Sequence, residues 1–238
     1  MKNIKTKCEF IQKGEGRLSL GIYEKVIKLK SEIPESVTLI SVSKTRSLEE
    51  MEEAYKAGAR DFAENKVQEI RDKFPEFHQD VRWHFIGHLQ RNKVKYLVDK
   101  VYLIHSLDRI SLLEELEKQY ETKGKTVNVL IEINIGREGS KTGLLLEDLE
   151  ELLDRVQTCR SVKVKGLMTI IPKCDEKTSR NYFKEVKNLW DSLKERNLNN
   201  ISMEVLSMGM TNDYKVAIEE GSNTVRVGEG IFGKREYK

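Results

Sequence analysis

The chain has 238 residues, of which 38% are hydrophobic and 34% are charged, and its formal net charge is +3. This length and apolar content can build one sizeable core, so we expect a single domain over residues 1–238. The charged residues are interleaved along helical patterns rather than gathered into a basic stripe, which disfavours nucleic-acid binding. No run approaches the roughly 18 apolar residues of a transmembrane helix, so we expect no membrane span.

The cysteines and the N-terminal residues bear on the cellular compartment. Cys8, Cys159 and Cys174 form an odd set without a CxxC pair, which favours reduced thiols over a disulfide framework. The first ten residues, MKNIKTKCEF, contain neither a long apolar segment nor a cleavage-site pattern. We therefore expect a cytoplasmic protein.

Eight short β-rich runs alternate with amphipathic patterns along the chain. The predicted strands lie at residues 37–43, 61–65, 81–87, 101–107, 127–135, 162–171, 201–209 and 224–228. Apolar residues at three-to-four spacing predict helices at residues 47–59, 110–124, 146–157 and 179–197. The first of these helices opens with Ser47 and carries Glu50 three residues later, the pattern of a capping box, and Gly58 marks its end.

This alternation predicts the fold class. Strands separated by helices indicate a parallel sheet, and eight strands are the number that closes a (β/α)8 TIM barrel. The alternative is an open doubly wound sheet, which usually has fewer strands and a glycine-rich fingerprint after the first strand. The segment after the first predicted strand, SKTRS, is not such a fingerprint. We expect the α/β barrel, preceded by one or two extra helices within the first 30 residues.

Lys44 follows the first predicted strand at the point where a buried run ends. In TIM barrels the chemistry gathers at the C-terminal ends of the strands, so this lysine would point into the barrel mouth. Partial burial favours the neutral form of an amine, which can attack an aldehyde and form a Schiff base. The alternative is a lysine that extends to the rim and pairs with a carboxylate.

Two glycine-rich segments follow the last two predicted strands. Strand seven ends in LSMGMTND, with Ser207, Gly209 and Thr211, and strand eight ends in VRVGEGIFG, with Gly228 and Gly230. The corresponding loops of TIM barrels commonly bind phosphate through backbone N–H groups. The alternative is a pair of ordinary glycine turns.

Arg226 lies inside the eighth predicted strand and would project into the barrel. A buried arginine needs an acceptor, which is either a ligand atom or a neighbouring carboxylate. Together, Lys44, the two glycine-rich segments and Arg226 predict a phosphorylated ligand that also carries an aldehyde.

His84 and His88 form an HxxxH pattern. On a helix this spacing can bind a metal, but here it lies at a strand end, where the two side chains would not share a helical face. We therefore expect no metal site, a packed His84, and a His88 that borders the pocket mouth.

Seven ordered blocks of the sequence resemble one known family. They are VSKT, FAENKVQE, WHFIGHLQRNK, KTGL, GLMTI, LSMGMTND and VRVGEGIFGKR. On these motifs the chain is identified as a member of the pyridoxal phosphate homeostasis proteins (the YggS/PROSC-like family). The resemblance implies a (β/α)8 barrel similar to the N-terminal domain of alanine racemase, with pyridoxal 5′-phosphate (PLP) as its cofactor.

The resemblance also implies roles for particular residues. Lys44 is the Schiff-base lysine, and Arg226 is the arginine that faces the pyridine nitrogen. The residues implied at the ring pocket and the phosphate are Asn65, Met168, Ser207, Thr211, Gly228, Glu229 and Gly230. Ala63, Ser47 and Glu229 depart from the family's pattern. The carboxylate of Glu229 near a phosphate is expected to weaken binding unless it points outward.

A PLP-holding protein of this family implies a role in intracellular PLP and amino-acid homeostasis, with PLP-dependent apoenzymes as candidate partners. An arginine at the pyridine nitrogen disfavours its protonation and therefore carbanion chemistry, so we do not expect catalytic turnover. The alternatives are a PLP-dependent amino-acid racemase and a barrel in which Lys44 forms a Schiff base with a sugar phosphate. A short barrel without an added domain favours a monomer.

Overall fold

The computed structural model describes residues 20–139 and 142–234. Eight parallel strands close into a barrel in which each strand pairs with its neighbours in chain order. They are β1 Thr38–Val42, β2 Asp61–Glu64, β3 Arg82–Phe85, β4 Leu103–Leu107, β5 Val127–Ile133, β6 Val162–Thr169, β7 Ile201–Ser207 and β8 Thr224–Val227. All eight predicted strands are confirmed, each lying within its predicted range, and the open doubly wound sheet is wrong.

Helices cover the outside of the barrel. They are α1 Ile22–Glu32, α2 Leu48–Lys56, α3 Val67–Lys73, α4 Ile110–Thr122, α5 Leu149–Gln157, α6 Glu176–Lys194, α7 Tyr214–Glu219 and α8 Glu229–Phe232. The helix α1 precedes β1 and confirms an extra N-terminal helix. Residues 1–19, where Cys8 and a second such helix would lie, are outside the described residues. Between β3 and β4 the chain forms a 3-10 helix, Arg91–Tyr96.

None of the helices in the described parts of the chain combines the length and the apolar character needed to cross a lipid bilayer.

The start of α2 shows how the sequence fixes a helix boundary. The Glu50 N–H donates to Ser47 Oγ at 3.3 Å, and the Ser47 N–H donates to the Glu50 carboxylate at 2.9 Å. This reciprocal pair is the predicted capping box, and it satisfies two N–H groups at the start of the helix. Gly58, just beyond the helix, adopts a φ of 85°, which favours glycine.

The alternation of side chains along the strands divides the core into two layers. The outer layer packs against the helices, where α5 contributes a buried stripe at three-to-four spacing, consisting of Leu149, Leu152, Leu153 and Val156. The inward-facing apolar residues form two small clusters, Ile40, Val42 and Ala63 in one and Leu103, Leu130 and Met168 in the other. Between these clusters the barrel interior holds buried polar side chains, which include His84, His105 and Arg226.

Two features of the sheet fix its closure. The ladder between β1 and β8 closes the barrel, with Thr38 opposite Thr224. In β6 the register with both neighbours shifts beside Gly166, where the backbone lies very close to β7. Gly166 has a φ of 148°, and a Cβ there would lie 1.7 Å from the carbonyl oxygen of Val205, so only glycine fits this position.

Candidate functional site

The C-terminal ends of the strands open into a cavity of about 760 Å³. Most of the predicted ligand-binding residues line it, and these are Lys44, Asn65, Thr211, Arg226, Gly228 and Glu229. A further part of its wall comes from residues 170–174, in the loop between β6 and α6. The cavity therefore lies at the end of the barrel where this fold gathers its functional groups.

Met168, Ser207 and Gly230 do not line this cavity. Met168 is fully buried in an apolar cluster inside the barrel, and the fully buried Ser207 accepts a hydrogen bond from Arg226. The Gly230 N–H donates to Thr211 Oγ1 at 3.2 Å, so this amide already serves the protein's own loop.

Lys44 lies in a turn that hydrogen bonds hold from both sides. Lys73 Nζ donates to the Ser43 carbonyl at 3.0 Å, and the Thr45 N–H donates to Glu69 Oε1 at 2.6 Å. Thr45 has a φ of 65°, which is unusual for a β-branched residue and marks local strain. The partly buried Lys44 is thus presented to the cavity from a well-fixed turn.

A buried carboxyl group supports the same turn. Glu64 Oε1 accepts hydrogen bonds from Ser43 Oγ at 2.7 Å and from Lys73 Nζ at 2.8 Å. Its Oε2 is buried without a hydrogen-bond partner in the described parts of the chain. Burial raises the pKa of Glu64 to about 7, although Lys73 acts in the opposite direction. At neutral pH the protonated form of this carboxyl is therefore far more populated than that of an ordinary glutamate.

Arg226 forms the deep wall of the cavity and is 2% exposed. Its Nη1 donates to the Ser207 carbonyl at 2.8 Å, and its Nη2 donates to the Thr169 carbonyl at 2.9 Å. Burial lowers the pKa of Arg226 to about 10, while Asp213 and Glu132 oppose this effect, so the guanidinium is charged at neutral pH. Among the described residues its acceptors are carbonyl and hydroxyl oxygens rather than the neighbouring carboxylate considered from the sequence.

The loops after β7 and β8 form the rim of the cavity. Gly209 has a φ of 91°, and a Cβ there would lie 2.6 Å from the Cβ of Ala217, so the first of these turns requires glycine. Glu229 is exposed at this rim, and it also lines the cavity. Arg46 Nη2 donates to the Gly233 carbonyl at 2.6 Å, which ties the loop after β1 to the end of α8.

Asn65 provides an acceptor at the cavity wall. Its Oδ1 is buried and has no hydrogen-bond partner among residues 20–139 and 142–234. A buried polar atom without a partner costs about 1–3 kcal/mol. A ligand with a hydrogen-bond donor at this position would therefore be stabilised.

The two histidines of the HxxxH pattern have different surroundings. His84 is 2% exposed inside the barrel, as predicted, and its Nδ1 lies 3.0 Å from His105 Nε2. His88 lies 3.5 Å from Asp108 and lines a separate cavity of about 300 Å³. The prediction that His88 borders the mouth of the main pocket is wrong, since Ile86 lines that cavity after β3 and His88 does not.

Several residues of the site were missed from the sequence. Glu64, Glu69 and Lys73, which hold the turn at Lys44, belong to this group. The available signal was a carboxylate inside the predicted strand 61–65, because a buried charge requires a partner. Cys174, at the cavity wall, and Cys159 are free thiols, in line with the expectation for the cysteines that the structure describes.

Comparison with known proteins places the chain in a family. Residues 22–236 match the family model "Alanine racemase, N-terminal domain". The Pyridoxal phosphate homeostasis protein of Aquifex aeolicus is 44% identical over 201 residues, which cover 84% of this chain and 87% of that protein. PipY of Synechococcus elongatus, solved without PLP, has a TM-score of 0.84 and 32% identity, over 89% of this chain and 100% of PipY.

PipY has also been solved with PLP bound, and that structure has a TM-score of 0.81 and 31% identity to this chain, over 89% of this chain and 100% of PipY. These matches confirm the resemblance that the sequence motifs indicated and the barrel that it implied. The chain belongs to the alanine racemase N-terminal domain family and, within it, to the pyridoxal phosphate homeostasis proteins.

Proposed function

We propose that this chain is a single domain that binds PLP covalently through Lys44 and holds it without turnover, as part of PLP homeostasis in the cytoplasm. The observation that carries the proposal is that Lys44 and the buried Arg226 line one cavity at the C-terminal end of the barrel. The PLP-bound structure of PipY and the names of the curated relatives support it. When bound, PLP supplies an aldehyde that reacts with amines and a ring that can serve as an electron sink.

The residues of the cavity fit this cofactor. Lys44 supplies the amine that bonds to the aldehyde carbon. Asn65 Oδ1, unpartnered among the described residues, would accept a hydrogen bond from the ring hydroxyl. Thr211 Oγ1 accepts the Gly230 N–H, which leaves its own O–H to donate to a phosphate oxygen beside Gly228.

Arg226 supports holding rather than catalysis. A charged guanidinium at the pyridine nitrogen disfavours protonation of that nitrogen and so weakens the electron sink. Ser207 and Met168 support the pocket from inside the barrel, the first by fixing Arg226 and the second by packing. The described residues that line the cavity include no tyrosine or histidine to move a proton at a bound amino acid, which disfavours the racemase alternative.

The test is the visible absorption spectrum of the purified protein, before and after borohydride reduction, beside two variants. Lys44→Ala removes the proposed amine, and Lys173→Ala, an exposed lysine of the same cavity, is the matched control. We expect a yellow band in the parent and in the control, its loss in Lys44→Ala, and a borohydride-trapped label on Lys44. A parent that stays colourless with added PLP, or a label on another lysine, would contradict the proposal.

Two further assays separate the alternative functions. Sustained racemisation of alanine or another amino acid above background would favour the enzyme over the carrier. Trapping of a sugar phosphate on Lys44 by borohydride, in a protein that takes up no PLP, would favour the sugar-phosphate barrel.

We also propose that the loaded protein is a monomer that delivers PLP to PLP-dependent apoenzymes. Sedimentation equilibrium measures the first part, and a dimer mass would contradict it. For the second part, loaded protein is mixed with an apo-aminotransferase in the presence of a phosphatase that destroys free PLP. Recovery of aminotransferase activity under these conditions is expected, and its complete loss would show that only released PLP is used.

A further inference from the structure

A line of buried polar side chains crosses the interior of the barrel. Ser207 Oγ lies within hydrogen-bond distance of Arg226 Nη1 and 3.2 Å from His105 Nδ1. His105 Nε2 lies 3.0 Å from His84 Nδ1, and His84 Nε2 lies 3.0 Å from Asp61 Oδ1. All five residues are buried, with exposed fractions from 0% to 7%.

The line joins the two ends of the barrel. Arg226 lies at the cavity, whereas Asp61 is the first residue of β2, at the opposite end of the sheet. There Asp61 accepts two hydrogen bonds from Arg82, at 2.8 and 2.6 Å, and the Arg82 side chain is 51% exposed. The deep wall of the cavity is thus connected, side chain by side chain, to an ion pair on the far surface.

The carboxylate at the far end of the line sets the direction of the hydrogen bonds in it when both imidazoles are neutral. A guanidinium only donates, and an ionised carboxylate only accepts. Because Asp61 only accepts, its neutral neighbour His84 must donate from Nε2, which leaves Nδ1 as an acceptor. A neutral His105 therefore donates from Nε2 to His84 and accepts at Nδ1 from the Ser207 O–H, while Ser207 Oγ accepts from Arg226. For neutral imidazoles this is the one arrangement that satisfies all four contacts, and in it both histidines are Nε2–H tautomers.

The electrostatics of the interior favour the same arrangement. Burial lowers the pKa of His84 and, more strongly, that of His105, so both imidazoles are neutral at neutral pH. Burial opposes the ionisation of Asp61, but hydrogen bonds from His84 and Arg82 outweigh it and hold its pKa below the usual value. Asp61, at the acceptor end of the line, is therefore charged, whereas the imidazoles of His84 and His105 are neutral.

We propose that Ser207, His105 and His84 are positioning residues, which form a one-way hydrogen-bond chain that fixes the orientation of the Arg226 guanidinium at the cavity. This role rests on the proposed function, because the ligand whose binding it serves is PLP. A buried hydrogen-bond chain in which every group has a partner has one low-energy geometry. With apolar side chains in its place, the guanidinium could donate to any of the carbonyl groups around it. The hydrogen-bond chain thus fixes the orientation in which the Arg226 guanidinium contacts a ligand.

The first measurement is made on the parent protein and needs no variant. It consists of NMR spectra of the protein with ¹⁵N-labelled histidine, which report the protonation of each ring nitrogen. The protein contains four histidines, and His78 and His88, whose side chains are exposed, serve as internal references. We expect His84 and His105 to be protonated at Nε2 and unprotonated at Nδ1 at neutral pH. An Nδ1–H tautomer or a cation at either residue would overturn the proposal, whether or not the protein binds PLP.

The second measurement uses a matched pair of serine variants. Ser207→Ala removes the hydroxyl that links Arg226 to His105, whereas Ser106→Ala removes a buried hydroxyl that has no hydrogen-bond partner among the described residues. We expect Ser207→Ala to change the His105 nitrogen signals and to weaken PLP binding by about tenfold or more. Borohydride should still label Lys44 in both variants, because neither change touches the turn that holds this lysine.

The outcomes separate the two proposals. Equal PLP affinity and equal His105 signals in the two variants would overturn the positioning role and leave PLP binding intact. A parent protein that takes up no PLP would overturn the proposed function, while its histidine spectrum would still decide whether the one-way chain exists. If Ser207→Ala fails to fold, Ser207→Thr, which keeps the hydroxyl, should restore both the His105 signals and the affinity, and its failure to do so would count against the chain.

Discussion

Replacing Glu64 by glutamine is expected to remove a large part of the pH dependence of folding stability. The pKa of Glu64 is raised from 4.5 to about 7 by burial. Between these values the folded protein binds the additional proton, so the free energy of unfolding falls as the pH rises. The raised pKa of Glu64 lowers the free energy of unfolding by about 3 kcal/mol at pH 8 but only by about 1 kcal/mol at pH 5. Glutamine matches the size of the protonated acid, can still accept from Ser43 Oγ, and does not titrate.

The assay is urea unfolding of the parent and the Glu64→Gln variant between pH 5 and pH 8. The free energy of unfolding of the variant, relative to the parent, is expected to increase by about 2 kcal/mol over this range. Glu132→Gln is the matched control, because burial also raises the pKa of Glu132 to about 7 while its partner is Thr142. The two variants should change the pH dependence of the free energy of unfolding by similar amounts, and the two changes should add in the double variant. Identical pH dependence in the parent and in Glu64→Gln would refute the raised pKa, whatever the absolute stability of the variant.

Three further predictions concern stability and can be measured by chemical denaturation. Ser47→Ala removes the side chain that caps the Glu50 N–H and should cost about 1 kcal/mol, so an unchanged midpoint would contradict the role of the capping box. Gly166→Ala should prevent folding or greatly destabilise the protein, because the new Cβ would lie 1.7 Å from the Val205 carbonyl oxygen; a loss below about 1 kcal/mol would show that β6 can move away from β7. Ser222→Ala should cost about 1–3 kcal/mol, since its buried hydroxyl accepts from the Met208 N–H and lies within hydrogen-bond distance of the carbonyl groups of Leu206, Met208 and Thr224, and a neutral effect would contradict this.

The position of Lys44 was predictable because a buried parallel strand appears in a sequence as a continuous apolar run, and the end of the run marks the end of the strand. The contact between His105 and Ser207 was not predictable in this way. These residues are 102 positions apart, and their meeting depends on the tilt and stagger of the closed barrel. Local patterns also do not reveal the direction of a single amide, and the hydrogen bond from the Gly230 N–H to Thr211 Oγ1 was not predictable.

The pairing of β1 with β8 has a consequence for synthesis on the ribosome. Thr38 to Ser41 lie opposite Thr224 to Val227, so the sheet closes between its first and last strands. While the nascent chain grows, one edge of β1 has no partner strand, and its N–H and C=O groups are available to other chains. Incomplete folding units with open edges are prone to aggregation. The barrel therefore cannot pair the open edge of its first strand until residues 224–227 have left the ribosome.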